Sequence, residues 1–424
     1  MKEVIKVVSC KELKGEVSIA GSKNSALACL AAASITPDEN PIVLKNIPDI
    51  SDIQTMIDIL RSLGKKVIFE NGILSMSGEI NNSVVLPEKS KKLRGSMYFL
   101  GILAATTGEI YCGIPGGDKI GKRPIDIHIH GLRKLGVNFT SENGEIIVGK
   151  AEKGLEGCTI YLKYPSVGAT CNLMLAATKA TGRTVLTNVA KEPEIVDMAN
   201  LLSKMGARIT GAGTDKITIS GVDELHGGVE HEVISDRIES GTLASIVAVC
   251  GGDVPLKHAI PYHNFPIISL LEDIGVKIEA SDESLRIISD RNLKPVEVEM
   301  MPFPGIATDL QSSIALMATQ AKGDSTIVDL VFQKRFQYVD ELNKMGALMQ
   351  LSENNLIIHG GKKLRGCHVF GNDIRAVSTL IGAGLIAEGE TIIDGVIHLK
   401  RGYPDFDKKI RKLGGSVEIV AMDI

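Results

Sequence analysis

Tryptophan is absent from the 424-residue chain, and aromatic residues make up only 4% of it. With so few rings, a net charge of −4 and no basic tail, the sequence lacks both the stacking platform and the electrostatic footprint of a nucleic-acid-binding protein. Cysteine is scattered: seven residues, at positions 10, 29, 112, 158, 171, 250 and 367, with no Cys-x-x-Cys and no Cys/His cluster along the chain. An odd, dispersed set argues against a disulfide framework and against a zinc site, and reduced thiols point to the cytoplasm. No charged-then-apolar leader is present, and no apolar run approaches membrane-spanning length, so no membrane partner is expected. What remains is ordinary globular composition, 44% hydrophobic and 23% charged. The chain is too long for one core, so two domains are expected.

The stretch 112–124, Cys-Gly-Ile-Pro-Gly-Gly-Asp-Lys-Ile-Gly-Lys-Arg-Pro, is the first candidate for chemistry. Its glycines and prolines exclude ordinary helix or strand, and the glycines allow close backbone approach to a ligand. Lys119, Lys122 and Arg123 attract phosphate or carboxylate, and Asp118 is the only acid among them. Cys112 has no activating neighbour in sequence and reads as structural.

The chain is built from six copies of one unit. A helix ending of the type Leu-x-x-Leu-Gly recurs with closing glycines at 64, 136, 206, 275, 346 and 414, between 68 and 72 residues apart. Each glycine suits the left-handed position that ends a helix. Strand pairs follow, and Asn71-Gly72 and Asn143-Gly144 mark two tight hairpins. A second helix in each unit is rich in Ala, Ser and Gly, which suits close packing in a core. Each unit thus reads strand, buried helix, strand, outer helix, hairpin. The sixth unit stops one strand short, and the chain begins with a spare strand at 3–9, which should complete it. The expected domains are residues 21–234, and residues 1–20 with 235–424, joined by a double hinge whose cleft would hold the ligand.

Charged residues collect at equivalent helix starts. The expected set includes Lys23, Arg94, Arg123, Arg335, Arg375 and Arg401 beside Asp52, Ser166 and Asp309. A cation at a helix N-terminus opposes the dipole, so six of them argue for anionic ligands. His128 and His130 read as packing or solvated residues rather than catalytic ones.

At these residues the chain resembles the enolpyruvyltransferases that act on UDP-N-acetylglucosamine, at the first committed step of peptidoglycan synthesis. The resemblance runs from Gly15 to Val417. It rests on Gly21-Ser22-Lys23-Asn24, the segment 116–126, Pro165-Ser166-Val167-Gly168, Glu192-Pro193-Glu194, Asp236-Arg237, Thr308-Asp309, Arg335-Phe336 and Arg401-Gly402-Tyr403. It implies an α/β fold of two inside-out, barrel-like domains, each of three β-α-β-α-β-β units. It implies transfer of enolpyruvyl from phosphoenolpyruvate to the sugar 3′-hydroxyl by addition and elimination, with phosphate released. No metal or organic cofactor is implied.

The residue roles carried by the resemblance are these. Lys23, Arg123 and Arg401 hold the phosphate as catalytic cations, Arg335 and Arg375 hold the carboxylate, and Asn24 also contacts phosphoenolpyruvate. Asp118 is the proton donor and Asp309 the base. Asn24, Arg94, Arg123, Pro124, Ile125, Asp126, Ile127, Ser166, Val167, Asp309 and Val331 contact the nucleotide sugar. The chain departs from the usual pattern at Asp118, where most members carry the cysteine that fosfomycin alkylates. Ile306-Ala307 also replaces the usual Phe-Pro. Two rival readings are the sister shikimate enzyme, which normally has Lys-Ser in place of Lys23-Asn24, and a non-catalytic nucleotide-sugar-binding paralogue.

Overall fold

The computed structural model describes residues 2–117, 124–141 and 144–422. Among these, one compact unit holds residues 21–117 and 124–234, and the other holds residues 2–20 and 235–422. Each unit has its own hydrophobic core. The chain is α/β, and each unit contains three small sheets of the repeated β-α-β-α-β-β type.

The repeat is clearest at 159–220. Thr159–Tyr161 lies parallel to Arg183–Thr187 across the helix Val167–Ala177, and Lys216–Ser220 then inserts antiparallel between Arg183–Thr187 and the edge strand Arg208–Thr210. In chain order within the repeat, the strands lie first, second, fourth, third. The sixth sheet keeps that order by borrowing. Lys2–Val8 takes the fourth place, antiparallel to Glu390–Asp394 on one side and Ser416–Met422 on the other. This is the completion expected from the spare N-terminal strand.

A second exchange was not foreseen. The strands Leu13–Lys14 and Val17–Ser18 look in sequence like the start of the first repeat. They pair instead with Gly252–Lys257 of the fourth. The first repeat takes Glu230–Glu232 as its parallel edge beside Ile42–Lys45. The physical reason is reach: each sheet needs a parallel edge strand, and the short segments at 20–22 and 234–236 deliver one to each unit.

The small-residue helices form the cores. All of Lys23–Ala33 except Asn24 is buried, all of Arg237–Cys250 except Arg237, and all of Ile374–Gly384. Glycine permits contacts no other residue could make: a Cβ on Gly101 would fall 2.4 Å from the Asn172 carbonyl oxygen. The outer helices are one-sided, as in Ser51–Ser62, which buries Ile53, Met56, Ile57, Ile59 and Leu60. All six closing glycines have positive φ, from 89° to 108°. Asn71 and Gly72 also take positive φ in a two-residue turn joining Glu70 to Ile73. Of the second predicted turn, Asn143 lies outside the described residues.

Candidate active site

Two groups of polar residues stand out, one in each unit. In the first, Ser22 caps the helix Lys23–Ala33 by accepting from the Ser25 N–H at 3.3 Å. Lys23 opens that helix and is buried. Its ammonium lies 2.6 Å from the carboxylate of Asp52, itself buried in the first turn of Ser51–Ser62. Lys23 does oppose its own helix dipole, but Asp52 offsets the charge, so this is not the bare cation expected.

Arg94 opens the 3-10 turn Arg94–Met97 that leads into Tyr98–Thr106. Ser166 caps Val167–Ala177, accepting from Ala169 N–H at 3.3 Å, and thereby places Val167 at the helix start. Beneath these lies a buried polar chain: Gly101 N–H donates to Asn172 Oδ1 at 2.6 Å, and Asn172 Nδ2 meets His128 Nδ1 at 3.0 Å. Burial, with Arg94 nearby, pushes the His128 imidazole down to about 3, so it stays neutral at physiological pH.

A cavity of about 500 Å³ opens beside the helix Asp126–Lys134. Pro124, Ile125, Asp126 and Ile127 form one wall, and Ile160, Tyr161 and Lys163 line it as well. Four of the predicted sugar-nucleotide contacts therefore line one concavity. Tyr161 and Lys163, which line the same cavity, were not among the expected contacts, and a strand end carrying an exposed ring and a lysine is a weak sequence signal.

The loop 112–124 is only partly described. Asp118 and Arg123 lie outside the described residues, as do the four residues between them. At the start of the loop, glycine is required by close approach to the chain's own backbone: a Cβ on Gly116 would sit 1.7 Å from the Lys91 carbonyl oxygen. That corrects, for Gly116, the expectation that the approach serves a ligand. Cys112 is buried, and burial pushes its thiol up to about 12.

The second group centres on Asp309, in the 3-10 turn Thr308–Leu310. Arg335 Nη1 lies 2.5 Å from its Oδ1, and Arg375 Nη2 donates to its Oδ2 at 3.1 Å. Both arginines are buried, whereas the Asp309 side chain is 24% exposed. Burial by itself would raise the Asp309 carboxyl. The two guanidiniums override it and hold the group well below the usual carboxylate range. Arg375 is further positioned over the Tyr403 ring, 5.0 Å from its centroid, and the Tyr403 hydroxyl meets Thr242 Oγ1 at 3.0 Å. Its Nη1 is buried with no hydrogen-bond acceptor among the described residues.

Asp329, fully buried, was not anticipated. Its Oδ2 accepts from the Thr308 hydroxyl at 2.5 Å and from Gln311 at 2.8 Å. Its Oδ1 accepts the backbone N–H groups of Val331 and Phe332 at 2.9 and 3.0 Å. One carboxylate therefore orders both the turn bearing Asp309 and the loop bearing Val331.

Two helix-start expectations need correcting. Arg401 lies in the last turn of the short helix Val396–Gly402, where the dipole favours a cation, while the outer helix of that repeat begins separately at Phe406. Arg335 precedes its helix Tyr338–Lys344 by three residues. One polar group outside the candidate site includes a cysteine. The spatial group Cys29, Asp197 and His231 brings three metal-capable atoms within 4.8 Å of one another, although no such cluster is visible along the chain. Asp197 is already engaged there, accepting from the Ser25 hydroxyl, from the Ile234 N–H at 3.3 Å, and meeting His231 Nε2 at 2.9 Å.

Comparison with known proteins bears on what these groups do. The sequence profile of the family EPSP synthase (3-phosphoshikimate 1-carboxyvinyltransferase) matches residues 7–410. The UDP-N-acetylglucosamine 1-carboxyvinyltransferase of Finegoldia magna is 42% identical, covering 99% of this chain and all of that protein. The UDP-N-acetylglucosamine 1-carboxyvinyltransferase 2 of Bacillus subtilis is 43% identical, covering 98% and 96%. Among solved structures, the enolpyruvyl transferase NikO from Streptomyces tendae superposes with a TM-score of 0.89 at 23% identity, covering 99% of this chain and 100% of that one. An EPSP synthase from Acinetobacter baumannii gives 0.77 at 19%, with the same coverage. These structural likenesses bear on the fold alone.

Proposed function

The chain belongs to the EPSP synthase family of enolpyruvyltransferases, and we infer that within it the protein is a UDP-N-acetylglucosamine 1-carboxyvinyltransferase. It transfers enolpyruvyl from phosphoenolpyruvate to the 3′-hydroxyl of UDP-N-acetylglucosamine and releases phosphate, the first committed step of peptidoglycan synthesis. Its substrates are small molecules. The curated relatives favour this reading over the shikimate enzyme, which shares the family profile.

The geometry that carries the reading is Asp309 held between Arg335 and Arg375. Two buried guanidiniums converge on one carboxylate, and Arg375 Nη1 has no acceptor among the described residues. That is a hydrogen-bonding deficit a substrate carboxylate would fill. When it does so, the guanidiniums are shared, Asp309 is held less tightly, and its basicity rises toward that of a general base for the sugar hydroxyl.

The remaining roles follow the same logic. Lys23, Arg123 and Arg401 would carry the phosphate, with Asn24 beside it. Asp118 would protonate the methylene carbon, the hydroxyl oxygen would add to the neighbouring carbon, and loss of a proton and phosphate from the tetrahedral adduct would restore the double bond. The cavity at Pro124–Ile127 suits the nucleotide, with Tyr161 offering a flat apolar face and Lys163 a cation for the diphosphate. Ser166, Val167, Arg94 and Val331 are the other proposed sugar-nucleotide contacts. Residues 21–234, and residues 1–20 with 235–424, are the proposed domains. No described helix is long and apolar enough to cross a membrane, and the seven unbridged thiols support a reducing compartment, so the cytoplasm is the proposed location.

A phosphate-release assay tests the reading. Release with UDP-N-acetylglucosamine as acceptor, and none with shikimate 3-phosphate, is the expected result. The reverse pattern would assign the sister activity, and tight nucleotide-sugar binding without release would leave a binding paralogue.

A further inference from the structure

Four donors converge on the buried carboxylate of Asp329, and they come from two different stretches of chain. The Thr308 hydroxyl and the Gln311 amide reach Oδ2 from the turn that carries Asp309 and from the helix Gln311–Gln320 that follows it. The Val331 and Phe332 N–H groups reach Oδ1 from the loop that leads to Arg335. To donate there, Gln311 leaves its own Oε1 buried with no hydrogen-bond partner among the described residues. An unmet buried acceptor is destabilising, so this contact is held against a local penalty.

The two stretches meet again at the ion pair. Arg335 N–H donates to the Phe332 carbonyl at 3.0 Å, and its guanidinium lies 5.7 Å from the Phe332 ring centroid. Arg335 Nη1 in turn lies 2.5 Å from Asp309 Oδ1. Thr308, Asp309, Arg335, Phe332 and Asp329 therefore form a closed circuit. Asp329 is the member of it that stands on a strand. It ends Asp324–Asp329, which pairs parallel with Glu297–Met300 on one side and antiparallel with Asn355–His359 on the other. Its own N–H donates to the Asn354 carbonyl at 3.1 Å.

We propose that Asp329 is a positioning residue that keeps Asp309 in place while the arginines around it are shared with a substrate. The inference rests on the proposed role of Asp309 as base. An ion pair by itself locates a carboxylate only as long as its cations stay. A substrate carboxylate competes for Arg335 and Arg375, and with no other tie the turn Thr308–Leu310 would follow them or relax. The Thr308 hydroxyl prevents this by fastening the residue next to Asp309 to the sheet. The base then keeps its place as its counter-charges are shared, which is what efficient proton transfer requires. The other oxygen of Asp329 does the same for Val331, so the base and a proposed sugar-nucleotide contact are set from one carboxylate.

Steady-state kinetics of phosphate release test this on the full-length protein, with UDP-N-acetylglucosamine and phosphoenolpyruvate each varied. Thr308→Val removes the arm to the Asp309 turn with little change of shape and leaves the Val331 arm alone. Its kcat should fall by about tenfold to a hundredfold, while KM for UDP-N-acetylglucosamine changes by less than about twofold. Thr308→Ser keeps the hydroxyl and should hold kcat within about threefold of wild type, at a urea midpoint close to that of Thr308→Val. In an Asp309→Asn background, Thr308→Val should bring no further fall, because no base is left to position. An unchanged kcat in Thr308→Val, an equal loss in Thr308→Ser, or a further loss of full size in the Asp309→Asn background would overturn the proposal. Wild-type protein that releases no phosphate with this acceptor would overturn the reading of the site, and the proposal with it.

Discussion

Arg375 donates to Asp309 through Nη2 at 3.1 Å while its Nη1, equally buried, has no acceptor among the described residues. The pair therefore does two things at once. It keeps the carboxylate ionised, and it holds an unspent donor on the same guanidinium. Replacing Arg375 with Lys keeps the charge but removes the fork. The KM for phosphoenolpyruvate should rise by about tenfold or more, with the affinity for the nucleotide sugar nearly unchanged. Steady-state kinetics with each substrate varied in turn separates these effects.

Asp309→Asn keeps the shape and removes the base. Turnover should fall by about a hundredfold to ten-thousandfold, while calorimetry still detects nucleotide-sugar binding. Near-normal turnover in this variant would remove Asp309 from the proton transfer.

Lys23 and Asp52 predict a different signature, because their charges are buried together at 2.6 Å. Asp52→Asn leaves an ammonium under cover without its counter-charge. The protein should lose about 3 kcal/mol of stability, read from the urea midpoint at constant slope. If phosphate binds at Lys23 as proposed, inorganic phosphate should restore part of that loss, which it would not do for an equally destabilised variant elsewhere.

His128 supplies a pH dependence whose sign is determined. Its folded-state value, about 3, lies below the ordinary 6.5, so the unfolded chain takes up the proton first. The stability this neutral histidine confers is complete above pH 6.5 and is lost as pH falls from there toward 3. At about pH 5.5 the loss should be about 1.4 kcal/mol relative to neutral pH. His128→Gln, which has no proton to gain, should show a melting temperature that falls less steeply over the same interval.

Asp118 lies outside the described residues, and its prediction rests on the resemblance and on carboxylate chemistry. A carboxylate is a weaker, more solvated nucleophile than a thiolate. The wild-type protein should resist alkylation by fosfomycin, and Asp118→Cys should remain active but be inactivated over time. Intact mass after incubation with the drug decides between them. A stable adduct on the wild-type loop would count against the reading.

Much of the architecture could be read from the chain because it is local and repeated. A helix end needs a residue that tolerates positive φ, and the six glycines at 64, 136, 206, 275, 346 and 414 mark it each time. A run rich in small residues suits a helix packed on nearly all sides, as Lys23–Ala33 is. The missing strand of the sixth repeat followed from counting. The candidate site residues were named from charges near helix starts and from the resemblance, and for Arg401 and Arg335 the helix-start placement did not hold.

Other features depended on where the chain returns to itself. Which repeat receives Leu13–Lys14 is decided by hydrogen bonding to Gly252–Lys257, and a strand's pairing partner leaves no mark on its own residues. The charges of Lys23 and Arg375 were plain in sequence, but their state depends on Asp52 and Asp309, which arrive from 29 and 66 residues away. Asp329 orders the candidate site through buried hydrogen bonds that carry no local motif, and the place of Tyr403 beneath Arg375 shows only in space. Composition and periodicity determine which elements form and which faces they bury. Electrostatic environment is a sum over neighbours in space, so the ionisation of Asp309 and the neutrality of His128 were decided only by the tertiary structure.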